Sequence, residues 1–182
     1  MATSNGDLYR RDSDGKIWEY HNFLFWLLLD DNTDTVEIDA SSSHLDQRHY
    51  DGQVWRRDNG EWIKIDIGYG NVQIASARDG SSLYQRHKSG QIWKYISWPR
   101  GSTKWVWLDG NTSTILLAAG NHENAYILHR DGQIFHYNGI DKGNWDKISD
   151  GSDTVKIVAE RHNLYRLGTK GRVYRLEGGS WE

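Results

Sequence analysis

Leu83-Tyr84-Gln85-Arg86-His87-Lys88-Ser89-Gly90-Gln91-Ile92-Trp93-Lys94-Tyr95 decides the fold, because the same pattern recurs four more times along the chain. Its counterparts run from Leu8 to Tyr20, Leu45 to Arg57, Ala125 to Tyr137 and Leu164 to Leu176. A glycine anchors each copy. These are Gly15, Gly52, Gly90, Gly132 and Gly171, separated by 37, 38, 42 and 39 residues. Spacing of this kind across a whole chain marks a repeat architecture in which each unit is one supersecondary element.

Two further landmarks follow each anchor. A Trp opens a short apolar run that closes on a polar residue: Trp26 to Asp30, Trp62 to Asp66, Trp105 to Asp109 and Trp145 to Ser149, with Trp181 opening the last. An alternating segment comes next: Val36 to Ala40, Val72 to Ser76, Ile115 to Ala119 and Val155 to Ala159. Period-2 alternation, β-branched and aromatic residues, and an Asp-Gly or Ser-Gly turn between short runs all favour β-strands. Each unit therefore reads as four strands: Val-x-Ile-x-Ala, Leu-Tyr-x-Arg, Ile-Trp-x-Tyr and Trp-x-x-Leu-Asp. Neighbouring apolar residues such as Leu83-Tyr84 and Ile92-Trp93 point to opposite faces of a strand, so both faces of each sheet need cover. Radial stacking supplies it. The expected fold is all-β: one five-bladed β-propeller domain over 1–182, with units near 1–30, 31–66, 67–109, 110–149 and 150–182. Met1 to Thr3 align with Ile157 to Ala159 and are expected to form the first inner strand. Ring closure is then expected from side-chain packing between the first and fifth units, where Tyr174 and Leu176 replace the Trp and Tyr of other copies.

Composition fits that reading. Among 182 residues there are ten Trp, ten Tyr, three Phe, 19 Gly and one Pro, and the hydrophobic fraction is 37%. The core is thus aromatic, and glycine makes the turns. The longest apolar run, Phe23 to Leu29, is too short to span a membrane. The first seven residues have neither a basic cap nor an apolar stretch, so no secretory signal is expected. The absence of cysteine excludes disulfides, thiol nucleophiles and thiolate metal sites. With a net charge of −3 there is no polybasic footprint for nucleic acid or anionic membranes. These features suit a cytoplasmic location, or export without a signal peptide.

The unit Leu-Tyr-x-Arg-His-x-x-Gly-x-Ile-Trp-x-Tyr, followed by Trp-x-x-Leu-Asp and Val-x-Ile-x-Ala, resembles the β-propeller lectins. These include the tachylectin and tectonin groups and the propeller lectins of fungal fruiting bodies and bacteria, and in having five blades the chain resembles the tachylectin type most. The resemblance spans the chain and implies a five-bladed scaffold that binds glycans or glycoproteins. Fucose-specific members carry an Arg just before the second-strand apolar residue, where this chain has Asp7, His44, Ser82, Asn124 and Asn163.

A pyranose needs a flat aromatic face for its C–H side and paired polar groups for its hydroxyls. His49, His87 and His129 share one position of the repeat, where Asp12 and Gly168 stand in the other copies. Arg11, Arg48 and Arg86 precede it, and Gln47 and Gln85 lie one further back. Fold alone would constrain all five copies alike, so this variable polar strip is the candidate site. Trp26, Trp62, Trp105 and Trp145 are the candidate stacking platforms. The competing structural reading has the Arg-His pairs binding Asp30, Asp66 or Asp109 of a neighbouring strand and locking blade to blade. Trp18, Trp55 and Trp93, mid-strand, read as inter-blade core.

Enzyme motifs are absent: there is no Gly-x-Ser-x-Gly, phosphate loop or His-Glu-x-x-His. Asp12 to Gly15 resembles the start of a calcium loop but lacks the ligand at the twelfth position, and reads as a hairpin turn. The expectation is a non-enzymatic, multivalent lectin with several equivalent sites and neither cofactor nor metal. Nothing in the residues excludes an oligomer. The alternative is a propeller that serves as a protein-interaction scaffold.

Overall fold

The structure, a computed structural model, describes residues 6–22, 24–97, 103–139, 143–151 and 153–182. Every regular element among them is a β-strand, and the strands form five antiparallel sheets built from consecutive residues. Blade 1 contains β1 (Tyr9–Arg11), β2 (Ile17–His21) and β3 (Phe25–Asp30). Blade 2 contains β4 (Thr35–Ala40), β5 (Leu45–His49), β6 (Val54–Asp58) and β7 (Glu61–Asp66). Blade 3 contains β8 (Asn71–Ser76), β9 (Leu83–His87), β10 (Ile92–Ser97) and β11 (Thr103–Asp109). Blade 4 contains β12 (Thr114–Ala119), β13 (Ala125–His129), β14 (Ile134–Tyr137) and β15 (Asp146–Ser149). Blade 5 contains β16 (Thr154–Glu160), β17 (Asn163–Gly168), β18 (Val173–Glu177) and β19 (Ser180–Trp181). The inner strands β4, β8, β12 and β16 lie side by side, as the blades of a five-bladed β-propeller require. The expected first inner strand, Met1 to Thr3, lies outside the described residues.

The central turn of each unit explains its glycine. In blade 2, Gly52 N–H donates to the carbonyl of His49 at 3.0 Å, and His49 N–H donates to that of Gln53 at 2.9 Å. This is the three-residue hairpin that ends in a left-handed residue, and φ at Gly52 is +89°. In blade 3 the equivalent Gly90 has a second reason to be glycine. A Cβ there would lie 2.4 Å from the carbonyl oxygen of Asn111, in the link to the next blade.

Each inner strand carries a bulge one residue in, as between Thr35 and Glu37 in β4. Simple alternation puts Val36 and Ile38 on one face. The bulge breaks that phase, so Ile38 enters the core and Val36 is exposed.

Four apolar clusters fill the spaces between successive blades. Ile17 meets Ile38, Ala40 and Leu45 between blades 1 and 2, and Val54 meets Ile74, Leu83 and Tyr95 between blades 2 and 3. Ile92 meets Leu117, Ala125 and Ile127 between blades 3 and 4, and Ile134 meets Ile157 and Leu164 between blades 4 and 5. The expected packing of Tyr174 and Leu176 on blade 1 is not found. Leu176 and Trp181 join the cluster against blade 4, and Tyr174 lies on the same side of β18, under the Arg166 guanidinium that also covers Trp181. Side-chain alternation decides this, because Val173 and Arg175 are the residues aimed the other way.

Candidate functional site

The pleat that orders the core also divides the polar strip. Arg48 and His49 are neighbours in β5, so their side chains leave opposite faces of blade 2. Arg48 faces blade 3. Its Nε donates to Glu37 Oε2 at 2.8 Å, and its guanidinium reaches the carbonyl of Asn71. Glu37 in turn accepts from the Ile74 amide at 3.1 Å, across the blade boundary. Arg86 repeats the device with Gln73, whose amide both donates to and accepts from the Leu117 backbone at 2.7 and 3.0 Å. Arg11 likewise reaches across to the carbonyl of Thr35. These arginines hold blade to blade, through partners other than Asp30, Asp66 and Asp109.

Gln47, His49, Trp55 and Trp62 share the opposite face, and their counterparts in blades 3 and 4 do the same. They line a notch formed with the closing Asp and polar turn of the preceding blade. His49 stacks on Trp55 at 5.7 Å, His87 on Trp93 at 5.7 Å, and His129 packs on Phe135 at 4.4 Å. Among the Trp candidates, Trp26 packs on Tyr20, Trp105 on Tyr95 and Trp145 on Tyr137. Trp62 joins the cluster between blades 1 and 2. Trp105 also donates from its indole to the carbonyl of Ile65 at 2.9 Å.

The notches share a scaffold, but their contents differ. Between blades 1 and 2, Gln47 donates to Asp30 Oδ2 at 2.7 Å, and Asn32 lies 3.4 Å from His49 Nε2. Between blades 2 and 3, Gln85 approaches His87 at 3.3 Å, and Asn71 donates to Asp66 at 2.6 Å. Between blades 4 and 5, Arg166 lies over Tyr174 and Trp181 while it bonds Asp153 at 2.8 Å. In blade 1, Arg10 covers Trp26 at 4.4 Å. Side chains of the protein thus occupy each of these.

The notch between blades 3 and 4 is open. Ile127 stands where Gln47 and Gln85 stand, and it turns down into the apolar cluster. Above it is a cavity of about 230 Å³ lined by Asp109, Asn111, His129, Phe135, Asn144 and Trp145. His129 is only 6% exposed, yet its Nε2 has no hydrogen-bond partner. The indole N–H of Trp145 is also unpartnered. Burial holds the His129 imidazole below its ordinary pKa, so it is neutral near pH 7 and either donates or accepts according to tautomer. Sequence reasoning singled out His129 and Trp145 but missed Asp109, Asn111, Phe135 and Asn144 as a group. The signal available was Ile127, the one apolar residue at the Gln47 position.

A larger cavity, about 290 Å³, lies along the inner strands and includes Glu37, Asp39, Arg78 and Glu160 among its lining. Arg78 and Glu160 pair at 2.9 Å. Burial pushes Asp39 up to about 7, against the pull of amide donors from Ser76 and Ala40. Among the described residues, no group of three or more His, Asp or Glu side chains converges as metal ligands.

No family model and no curated protein matches the chain. Solved structures do. YCF48 bound to a D1 peptide is 13% identical with a TM-score of 0.68, over 97% of this chain and 62% of that one. Prp20p from Saccharomyces cerevisiae is 12% identical with a TM-score of 0.68, over 92% of this chain and 54% of that one. The WD40 repeats of RRP9 are 14% identical with a TM-score of 0.55, over 82% and 50%. The chain therefore spans about half to three-fifths of the length of these proteins. Likeness at such identity concerns the fold alone, and that fold is the β-propeller.

Proposed function

We propose that this chain is a non-enzymatic carbohydrate-binding propeller, with its sugar site in the notch between blades 3 and 4. The observation that carries the reading is the buried, unpartnered His129 imidazole beside Trp145 and Asp109 in an open cavity. Trp145 and Phe135 offer faces for the C–H side of a pyranose. The Asp109 carboxylate accepts hydrogen bonds from a pair of hydroxyls, and His129 and Asn111 supply the complementary groups. Where several equivalent sites were expected, Gln47, Gln85 and Arg166 already fill the neighbouring notches, so the reading is one open site per chain.

A glycan array followed by calorimetry with the best monosaccharide tests this. One equivalent bound per chain is expected, with His129→Ala and Trp145→Ala each weakening binding by about tenfold or more, the worth of one lost hydrogen bond or stacking platform. An array without hits sinks the proposal. The runner-up is a protein-interaction scaffold, favoured by the likeness to YCF48, which was solved with a peptide bound. A protein partner that binds equally well to the His129→Ala and Trp145→Ala variants, with no sugar bound by the wild type, favours it instead.

A further inference from the structure

Strands β1, β5, β9, β13 and β17 hold one equivalent residue each at the notch face: Arg10, Gln47, Gln85, Ile127 and Arg166. Four of the five bring N–H groups into the notch. The Arg10 guanidinium lies 4.4 Å from the ring of Trp26 and 5.4 Å from that of Trp18, and its Nε is 3.3 Å from Asp12. Arg166 repeats the arrangement over Tyr174 and Trp181 at 4.6 and 5.0 Å, with Asp153 as its carboxylate. Gln47 donates to Asp30, and Gln85 approaches His87 through its amide nitrogen. Each of these notches combines acceptors with aromatic rings, and the chain itself supplies the donor that closes it.

Ile127 removes that donor between blades 3 and 4. Asp109 ends β11 as Asp30 ends β3 and Asp66 ends β7. Asp30 takes an N–H from Gln47 and Asp66 takes one from Asn71. The hydrogen bond found at Asp109 is the turn contact from the Asn111 amide, at 3.2 Å. His129 follows the same rule. The atoms that approach Nε2 of His49 and His87 are the side-chain amide nitrogens of Asn32 and Gln85, which only donate, so Nε2 is the acceptor in both rings. Nε2 of His129 is the same acceptor without its donor. Phe135 and Trp145 hold the positions of Tyr174 and Trp181, and no cation of the described residues lies over them.

We propose that the sugar taken by this notch carries a free, protonated amino group, held between Asp109, His129 and the rings of Phe135 and Trp145. The proposal rests on the sugar-site reading above and narrows it to amino sugars. An ammonium has three N–H donors, enough for both unpartnered acceptors, and its charge suits a carboxylate and two π-faces together. A single hydroxyl or an acetylated nitrogen has one hydrogen to give and brings no charge. A carboxylate or sulfate on the sugar would face Asp109 and be repelled. The cavity of about 230 Å³ extends beyond the amine, and Asn111 and Asn144 in its lining suit the hydroxyls of the ring. Arg10 and Arg166 are the chain's own versions of the bound cation.

Calorimetry near neutral pH tests this with glucosamine and galactosamine, each set against its N-acetyl derivative and its 2-hydroxy parent. At least one amine should bind about tenfold or more tighter than both of its neutral relatives. Added sodium chloride should weaken the amine and leave the neutral sugars as they were. Asp109→Asn retains an acceptor for the Asn111 amide and removes the charge, so it should bring amine and parent to within about twofold of each other. Neutral sugars that bind as well as the amines overturn the proposal and leave the sugar site standing. A preference for the amine that survives Asp109→Asn overturns it too, because the amine is then held elsewhere. A glycan array without hits removes the sugar site and this proposal together.

Discussion

Two adjacent residues, Arg48 and His49, read as one polar strip in the sequence and act on different blade boundaries in the structure. Residue identities were legible, and strand alternation alone parts the two side chains, but which blade each face meets is decided only when the blades stack. His49, His87 and His129 all sit below the ordinary imidazole pKa because burial disfavours the charged ring. The linkage runs in one direction. A folded-state pKa below the unfolded value of about 6.5 contributes stability that is complete above that pH. It is lost as pH falls through the depressed value. Asp39 opposes this: raised to about 7, its carboxylate weakens the fold above that pH, and the penalty is relieved on acidification. Asp39→Asn should therefore remove the opposing contribution, so that stability against urea falls more steeply below about pH 6.5 than in the wild type. Parallel slopes for the two proteins would contradict the assignment.

At the scale of the hairpin, the recurring glycine was the most legible feature, since three-residue turns need a left-handed residue and Asp-Gly or Ser-Gly supplies it. The close approach of the next link was not legible, because Asn111 lies 21 residues beyond Gly90 and meets it only when blades stack. This separates two roles of one residue type. Gly171→Ala should cost about 1–2 kcal/mol, the penalty for an L side chain at positive φ. Gly90→Ala carries the same penalty and adds the contact with the Asn111 carbonyl, so its melting temperature should fall clearly further. Equal shifts in thermal melts would mean that the link at Asn111 moves aside freely. Ile127 belongs to this scale too. It keeps the strand and the core intact while removing the amide that fills the equivalent notches, and so creates the open site.

Across the molecule, repeat number, strand content and the blade-forming role of Ile17, Val54, Ile92 and Ile134 followed from the sequence pattern. The 66% exposure of Val173 at the fifth of these positions did not, because the pattern of the fifth unit matches the others there. Every described sheet draws its strands from one continuous stretch, and each apolar cluster joins only successive blades. Stretched in an optical trap, the chain should lengthen in steps, each releasing the 37 to 42 residues of one unit. That corresponds to about 120–150 Å of contour per step, at about 3.3–3.6 Å per residue. The propeller would behave under load as a short stack of separately latched extensible links, shedding length one repeat at a time while its remaining blades still hold their shape.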